Sequence, residues 1–138
     1  MGCRTIPPLP IVNTAEPGWR LVTGQAVWQP SREAPEIAGE LLLATNPDGR
    51  TLLQFTKNPL PFVTVQTSNA LWQIEFVPQR RTFSGKGTPV ARLIWVHLAR
   101  ALNGASPPAR LVFQQSAPHE WSIENRSTGE RIAGFLNQ

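Results

Sequence analysis

Cys3 is the one cysteine among the 138 residues, and it stands behind Gly2 and ahead of the run Arg4-Thr5-Ile6-Pro7-Pro8-Leu9-Pro10. A single thiol cannot close an internal disulfide, and one in a terminal tail is remote from any core. The chemistry that uses both its position and its uniqueness is covalent attachment of a lipid through its sulfur. Myristoylation at Gly2 is the rival, but that pattern needs Ser or Thr at the sixth position, where Ile6 stands. Elsewhere the chemistry-bearing residues are sparse. The one Asp, Asp48, falls in Asn46-Pro47-Asp48-Gly49, where turn geometry alone asks for it. A Ser-His-Asp triad would have to be oriented from that hairpin tip, using His97 in a helical stretch or His119 beside Pro118 in a loop. No His, Cys or carboxylate pair has metal-ligand spacing. Glu33 with Glu36, and Glu120 with Glu124, read as exposed carboxylates. Gly85-Lys86-Gly87-Thr88 lacks the leading glycine and the buried parallel strand of a phosphate loop. The expectation is a protein that is not an enzyme, without catalytic residue, metal or cofactor.

The elements that must position these residues are mostly strands. Charged residues make up 16% and hydrophobic ones 41%, against roughly 25% charged in an ordinary soluble domain. The formal charge is +4, but its cations are spread along the chain. That favours mild attraction to anionic surfaces such as lipid headgroups over nucleic-acid binding, for which no signature is present. No apolar run reaches the roughly 18 residues of a membrane-spanning helix, and no secretory apolar region is present. The expectation is a cytosolic chain or a mature form freed of its leader.

Residues 1–17 are Pro-rich and aperiodic, and read as a semi-rigid tether carrying the anchor. Residues 18–138 read as one domain. Alternation of period two predicts strands over Trp19 to Gln29, Ile37 to Thr45, Thr51 to Lys57, Phe62 to Thr67, Leu71 to Val77 and Arg81 to Ser84. The period then changes. Thr88-Pro89 looks like a helix cap followed by Pro at the first position, with Val90, Leu93, Ile94, His97, Leu98, Ala101 and Leu102 at helical spacing and Asn103-Gly104 as the stop. Three more strands follow, Arg110 to Gln115, Trp121 to Asn125 and Glu130 to Leu136. Hairpin-linked strands make an antiparallel meander. One helix cannot cover both faces of so large a sheet, so the sheet must curl with the helix on its concave side. The fold class is therefore mainly β: an incomplete barrel with one amphipathic helix inside it.

This order of elements, from Trp19 to Leu136, resembles the bacterial lipoprotein-localisation proteins, the periplasmic carrier LolA and the outer-membrane receptor LolB. Gly2-Cys3 is similar to the receptor's anchoring cysteine behind a small residue. The helix ending in Leu102-Asn103-Gly104 and the closing pair Trp121-Ser122-Ile123 through Gly129 to Leu136 look like the family's last elements. The chain is shorter than those receptors and has no extended helical N-terminal region. The resemblance implies a lipid-anchored protein on the periplasmic face of the outer membrane, whose apolar cavity holds acyl chains or lipoproteins during transfer, with a periplasmic carrier protein as a possible partner. It also implies a protruding loop between the third and fourth strands. Here that is Asn58-Pro59-Leu60-Pro61, with Leu60 as the membrane-inserting tip. The strand residues expected to line the cavity are Leu21, Trp28, Leu41, Leu43, Leu53 and Phe55, then Trp72, Ile74 and Phe76. From the second half of the chain come Ile94, Leu98, Phe113, Trp121 and Ile123. The alternative is a structural lipoprotein of the same fold whose filled core leaves its edges and loops to dock a protein.

Overall fold

A computed structural model describes residues 9–10 and 12–137. Cys3 and the rest of the proposed anchor lie outside the described residues. The strands are β1 (Arg20–Gln29), β2 (Ile37–Thr45), β3 (Thr51–Lys57), β4 (Leu60–Thr67), β5 (Leu71–Phe76), β6 (Arg81–Lys86), β7 (Leu111–Ala117), β8 (Glu120–Asn125) and β9 (Arg131–Leu136). Among the described residues the one α-helix, α1, runs Ile94–Leu102, and a short 3-10 turn covers Val77–Gln79. All nine strands form one open antiparallel sheet in the order β6-β5-β4-β3-β2-β1-β9-β8-β7. Two meanders are thus joined where the first strand meets the last.

The helix packs against β3, β4 and β5 on one wing of the sheet and against β7 and β8 on the other. Contact with both wings requires the sheet to curl around it, and the reason it can curl is written in side-chain size. Gly39 on β2, Ala26 on β1 and Gly134 on β9 stand side by side across three strands. A Cβ added at Gly134 would overlap the Gln25 carbonyl oxygen, and one at Gly39 would lie 2.6 Å from the Thr56 carbonyl oxygen. These are places of close backbone approach that only the missing side chain permits. Gly134→Ala should therefore force β9 away from β1 and lower stability by about 2–3 kcal/mol. A urea midpoint equal to that of the parent would show that the crease has room to spare.

The period-two alternation sorts the faces. Leu41, Leu53, Phe55, Val63, Val65, Ile74, Ile123 and Ile132 are all at 0–1% exposure and meet Ile94, Trp95 and Leu98 of α1. Leu21 is a correction to the expected lining. It lies on the opposite face of β1 from Ala26 and Trp28 and is 48% exposed. Parity alone separates it from the interior, because its neighbours Val22, Gly24 and Ala26 take the inner positions.

Two element boundaries that bear on the site differ from expectation. The helix starts at Ile94, and Leu93 is its N-cap without a side-chain cap, so Thr88-Pro89 does not open it. Instead Leu93 N–H closes a turn on the Val90 carbonyl, and the carbonyls of Pro89 and Val90 are used by His97. The helix does end as expected: Gly104 is left-handed at φ +97°, with its N–H on Ala101 and that of Ala105 on Arg100. The second difference is that β4 begins at Leu60 rather than Phe62, with Leu60 paired to Lys57. The connection is a two-residue turn, Asn58-Pro59, and not a protruding loop of four.

Residues 9–10 and 12–17 include two contacts to the outer side of the sheet. Leu9 N–H donates to Gln73 Oε1 at 2.9 Å, two ladder steps from Leu52. Arg50 lies 3.7 Å from Glu16 and stacks over the Trp19 ring at 5.0 Å. Ala44 and Leu52, which face away from the helix on this outer side, are buried.

Candidate functional site

The concave side has two unlike ends. Where β1 runs into its loop and β5 turns into β6, aromatic rings fill it. Trp28 from β1 stacks on Phe76 from β5 with ring centroids 6.4 Å apart, although three strands separate them in the sheet. Trp95 of α1 stands edge-on to Trp28 at 5.6 Å and lies 4.9 Å from Phe55. Phe62 meets Phe55, and Phe83 meets Phe76, each in T-shaped geometry. Offset and edge-to-face contacts of this kind suit aromatic quadrupoles and fix the rings in place. Trp28 is thus the side chain that ties the two wings together at this end.

Its indole N–H donates to Glu130 Oε2 at 2.9 Å. Burial pushes the Glu130 carboxyl up to about 7, and the hydrogen bond from Trp28 pulls the other way. Among the described residues the ion pairs are confined to Arg50, so no cation compensates Glu130. Nothing in the local pattern of residues points to this pair. Glu130 follows an ordinary turn, and its partner lies 102 positions away.

At the other end, between the start of β1, the ends of β2 and β9, the β7–β8 turn and the last turn of α1, the concave side opens in a depression of about 250 Å³. Its apolar walls are Val22, Leu43, Leu102, Trp121 and Leu136, and its rim is polar, with Arg20, Asn103, Gln115 and His119. Asn103 Nδ2 donates to Thr51 Oγ1 at 3.3 Å and pins the helix end beside the opening. Trp121 is 3% exposed, and its Nε1 has no hydrogen-bond partner among the described residues. A volume of 250 Å³ is a little below the roughly 300 Å³ at which small-molecule pockets begin. It suits the end of an apolar chain with a polar head left at the rim.

The expected lining residues thus divide. Leu41, Leu53, Phe55, Ile74, Ile94, Leu98 and Ile123 are at 0–1% exposure in the packed core, with Trp72 at 8% behind Gly85. Trp28, Phe76 and Phe113 are half-buried around its margins. Only Leu43 and Trp121 border the opening. Arg20, Leu102, Leu136 and His119 belong to it as well. Their types are ordinary, and the curl of the sheet together with the β1–β9 pairing brings them together.

Leu60 is 66% exposed, the most exposed of the large apolar side chains described. It points into solvent at the far end of the β3–β4 hairpin, from within the strand ladder.

The residues weighed for catalysis are separated. Asp48 sits in its turn, where its carboxylate accepts from the Arg50 backbone N–H at 3.0 Å and from the guanidinium at 2.8 Å. These contacts hold its carboxyl below the usual range, the backbone hydrogen bond contributing most. His97 is buried, with Nε2 at 3.0 Å from the Pro89 carbonyl and 3.2 Å from that of Val90. Burial lowers its affinity for a proton, so a neutral ring donating to these carbonyls fits the geometry. Among the described residues no three His, Cys, Asp or Glu side chains lie together as a metal site would need. Among the described residues no helix is long and apolar enough to cross a membrane.

No family model matches this chain, and no curated protein is significantly similar to it.

Proposed function

We propose that this protein is a non-catalytic binding protein for an apolar chain, working as a half-barrel tethered to a membrane through Cys3. The observation that carries the reading is the opening beside the end of α1, a space on the concave side that combines an apolar wall with a polar, partly cationic rim. An acyl chain entering there would meet Leu43, Leu102, Trp121 and Leu136, while Arg20 and His119 would face its head. Each CH₂ taken out of water contributes about 0.8 kcal/mol, so even a short inserted length binds measurably. Deeper insertion would require α1 to move, since the core behind the opening is filled. Leu60, exposed on the β3–β4 hairpin, is in keeping with contact to a membrane during transfer. An outer-membrane location and a periplasmic carrier as partner belong to the same reading.

A second reading has its own support. The packing of α1 against both wings, with core residues at 0–1% exposure, favours a filled structural module that docks a protein. Native mass spectrometry with dodecanoate as probe separates the two. The first reading expects one bound chain and a Trp121-dependent fluorescence change, both weakened at least tenfold by Leu43→Asn, which places an amide in the apolar wall. A circular dichroism spectrum matching the parent would show that this variant still folds. A clean apo mass at every dodecanoate concentration would overturn the first reading and leave the second.

A further inference from the structure

The open sheet ends on β6 at one side and β7 at the other, and the two edges are not alike. β6 begins with Arg81 and ends with Lys86, charges of the kind that discourage a further strand from adding. β7, with the sequence Leu-Val-Phe-Gln-Gln-Ser-Ala, has no charged residue and no Pro. Beyond its ladder to β8, the one backbone hydrogen bond it makes to another described segment is from Leu111 N–H to the Pro108 carbonyl, in its own entry turn. Gln114, Gln115 and Ser116 are exposed along it. Phe113 is half-buried: it packs on the core and faces Ile123 of β8 on one flank, while its other flank is the open edge.

The pairing of β7 with β8 is regular from Leu111 to Gln115 and shifts between Gln115 and Ala117. That irregularity ends the straight part of the edge, so the stretch able to accept another strand is Leu111 to Gln115, with Phe113 at its midpoint. We propose that β7 is a self-association edge, where a second copy of this chain adds its own β7 antiparallel about a two-fold axis at Phe113. In that register Phe113 meets Phe113, Val112 meets Gln114, and Leu111 meets Gln115. No like charges are brought together, and each copy supplies the flank that the other's Phe113 lacks. A directly opposed aromatic pair is among the favourable cross-strand combinations. The contact is isologous and closes on itself as a dimer. An uncharged edge whose own sequence is complementary to it in this register fits a second copy better than it fits a charged foreign strand.

The test is the mass of the Cys3→Ser protein in solution, by sedimentation equilibrium over a wide concentration range, so that no disulfide can mimic the contact. A concentration-dependent monomer–dimer equilibrium is expected. Gln114→Lys, at an exposed position on the outer row, should weaken it at least tenfold, whereas Thr82→Lys on β6 should leave it unchanged. On the same Cys3→Ser background, Phe113→Cys should cross-link on mild oxidation and Gln115→Cys should not. A protein that stays monomeric at every concentration overturns the proposal. A dimer indifferent to Gln114→Lys, or one lost equally with Thr82→Lys, also overturns it.

Discussion

Trp95→Ala should lower the stability of this domain by about 3–5 kcal/mol, the range for emptying an aromatic site in a packed core. Trp95 is 1% exposed, lies 4.9 Å from Phe55 and 5.6 Å from Trp28, and stands between the helix and both wings of the sheet. For a domain whose whole stability is on the order of 5–15 kcal/mol, such a loss brings the variant close to unfolding. Urea denaturation followed by circular dichroism measures it. Trp95→Phe is the informative companion. It keeps ring contact with Phe55 and removes an indole N–H that is buried without a partner among the described residues, so its cost should be well under half that of alanine. The alanine variant bears on function as well, because an apolar cavity of that size stays dry and takes small apolar guests. Benzene should raise the melting temperature of Trp95→Ala and leave that of the parent unchanged. A parent protein that responds to benzene as strongly would mean that the interior behind the opening is already accessible.

The second large effect concerns acidity. Glu130 ionises near 7 in the folded protein against an ordinary value of 4.5. Below 4.5 the carboxyl is protonated in both folded and unfolded chains, and its full contribution to stability is present. Between 4.5 and 7 the unfolded chain has released the proton and the folded one retains it. Stability therefore falls as pH rises, by up to about 1.4 kcal/mol per pH unit and about 3 kcal/mol in all. Above 7 the loss levels off. Glu130→Gln keeps an oxygen for the Trp28 N–H to reach and cannot ionise. The variant should match the parent at pH 4 and exceed it by about 3 kcal/mol at pH 8, as read from paired denaturation curves. A constant difference between the two proteins across that range would show that Glu130 is ionised in the fold and solvated. The effect is localised where Trp28 joins the wings, so its loss should appear first as a change in the near-ultraviolet spectrum of the aromatic cluster.

The strands were legible because a half-buried strand carries its signal locally. Ile37–Thr45 and Thr51–Lys57 fall where the alternation and the Asn46-Pro47-Asp48-Gly49 turn put them. The curl was legible from a count of faces: one helix and so much apolar sheet leave few other arrangements. The same alternation already placed Leu21 on the side away from Trp28, and the assignment of both to one lining fails on that parity. The start of the helix was less legible, because Thr88-Pro89 carries every local sign of a cap. What overrides it is the use of the Pro89 and Val90 carbonyls by His97, a contact across seven and eight residues.

The candidate site was legible only in composition. From the sequence alone come the mostly β fold, the apolar concave face, the solitary Cys3 and the scarcity of groups able to do acid–base chemistry. The pairing of β1 with β9 was not available there, and it is what joins the two meanders and gathers Val22, Leu43, Trp121 and Leu136 around one opening. The same pairing sets Glu130 against Trp28, and the curl of the sheet carries Trp28 across to Phe76. Strand identity depends on neighbours two residues apart, which a sequence displays directly. Register between chain ends depends on which pairing lets Gly134 and Ala26 approach and the aromatic rings interlock, and only the folded chain brings those groups into contact.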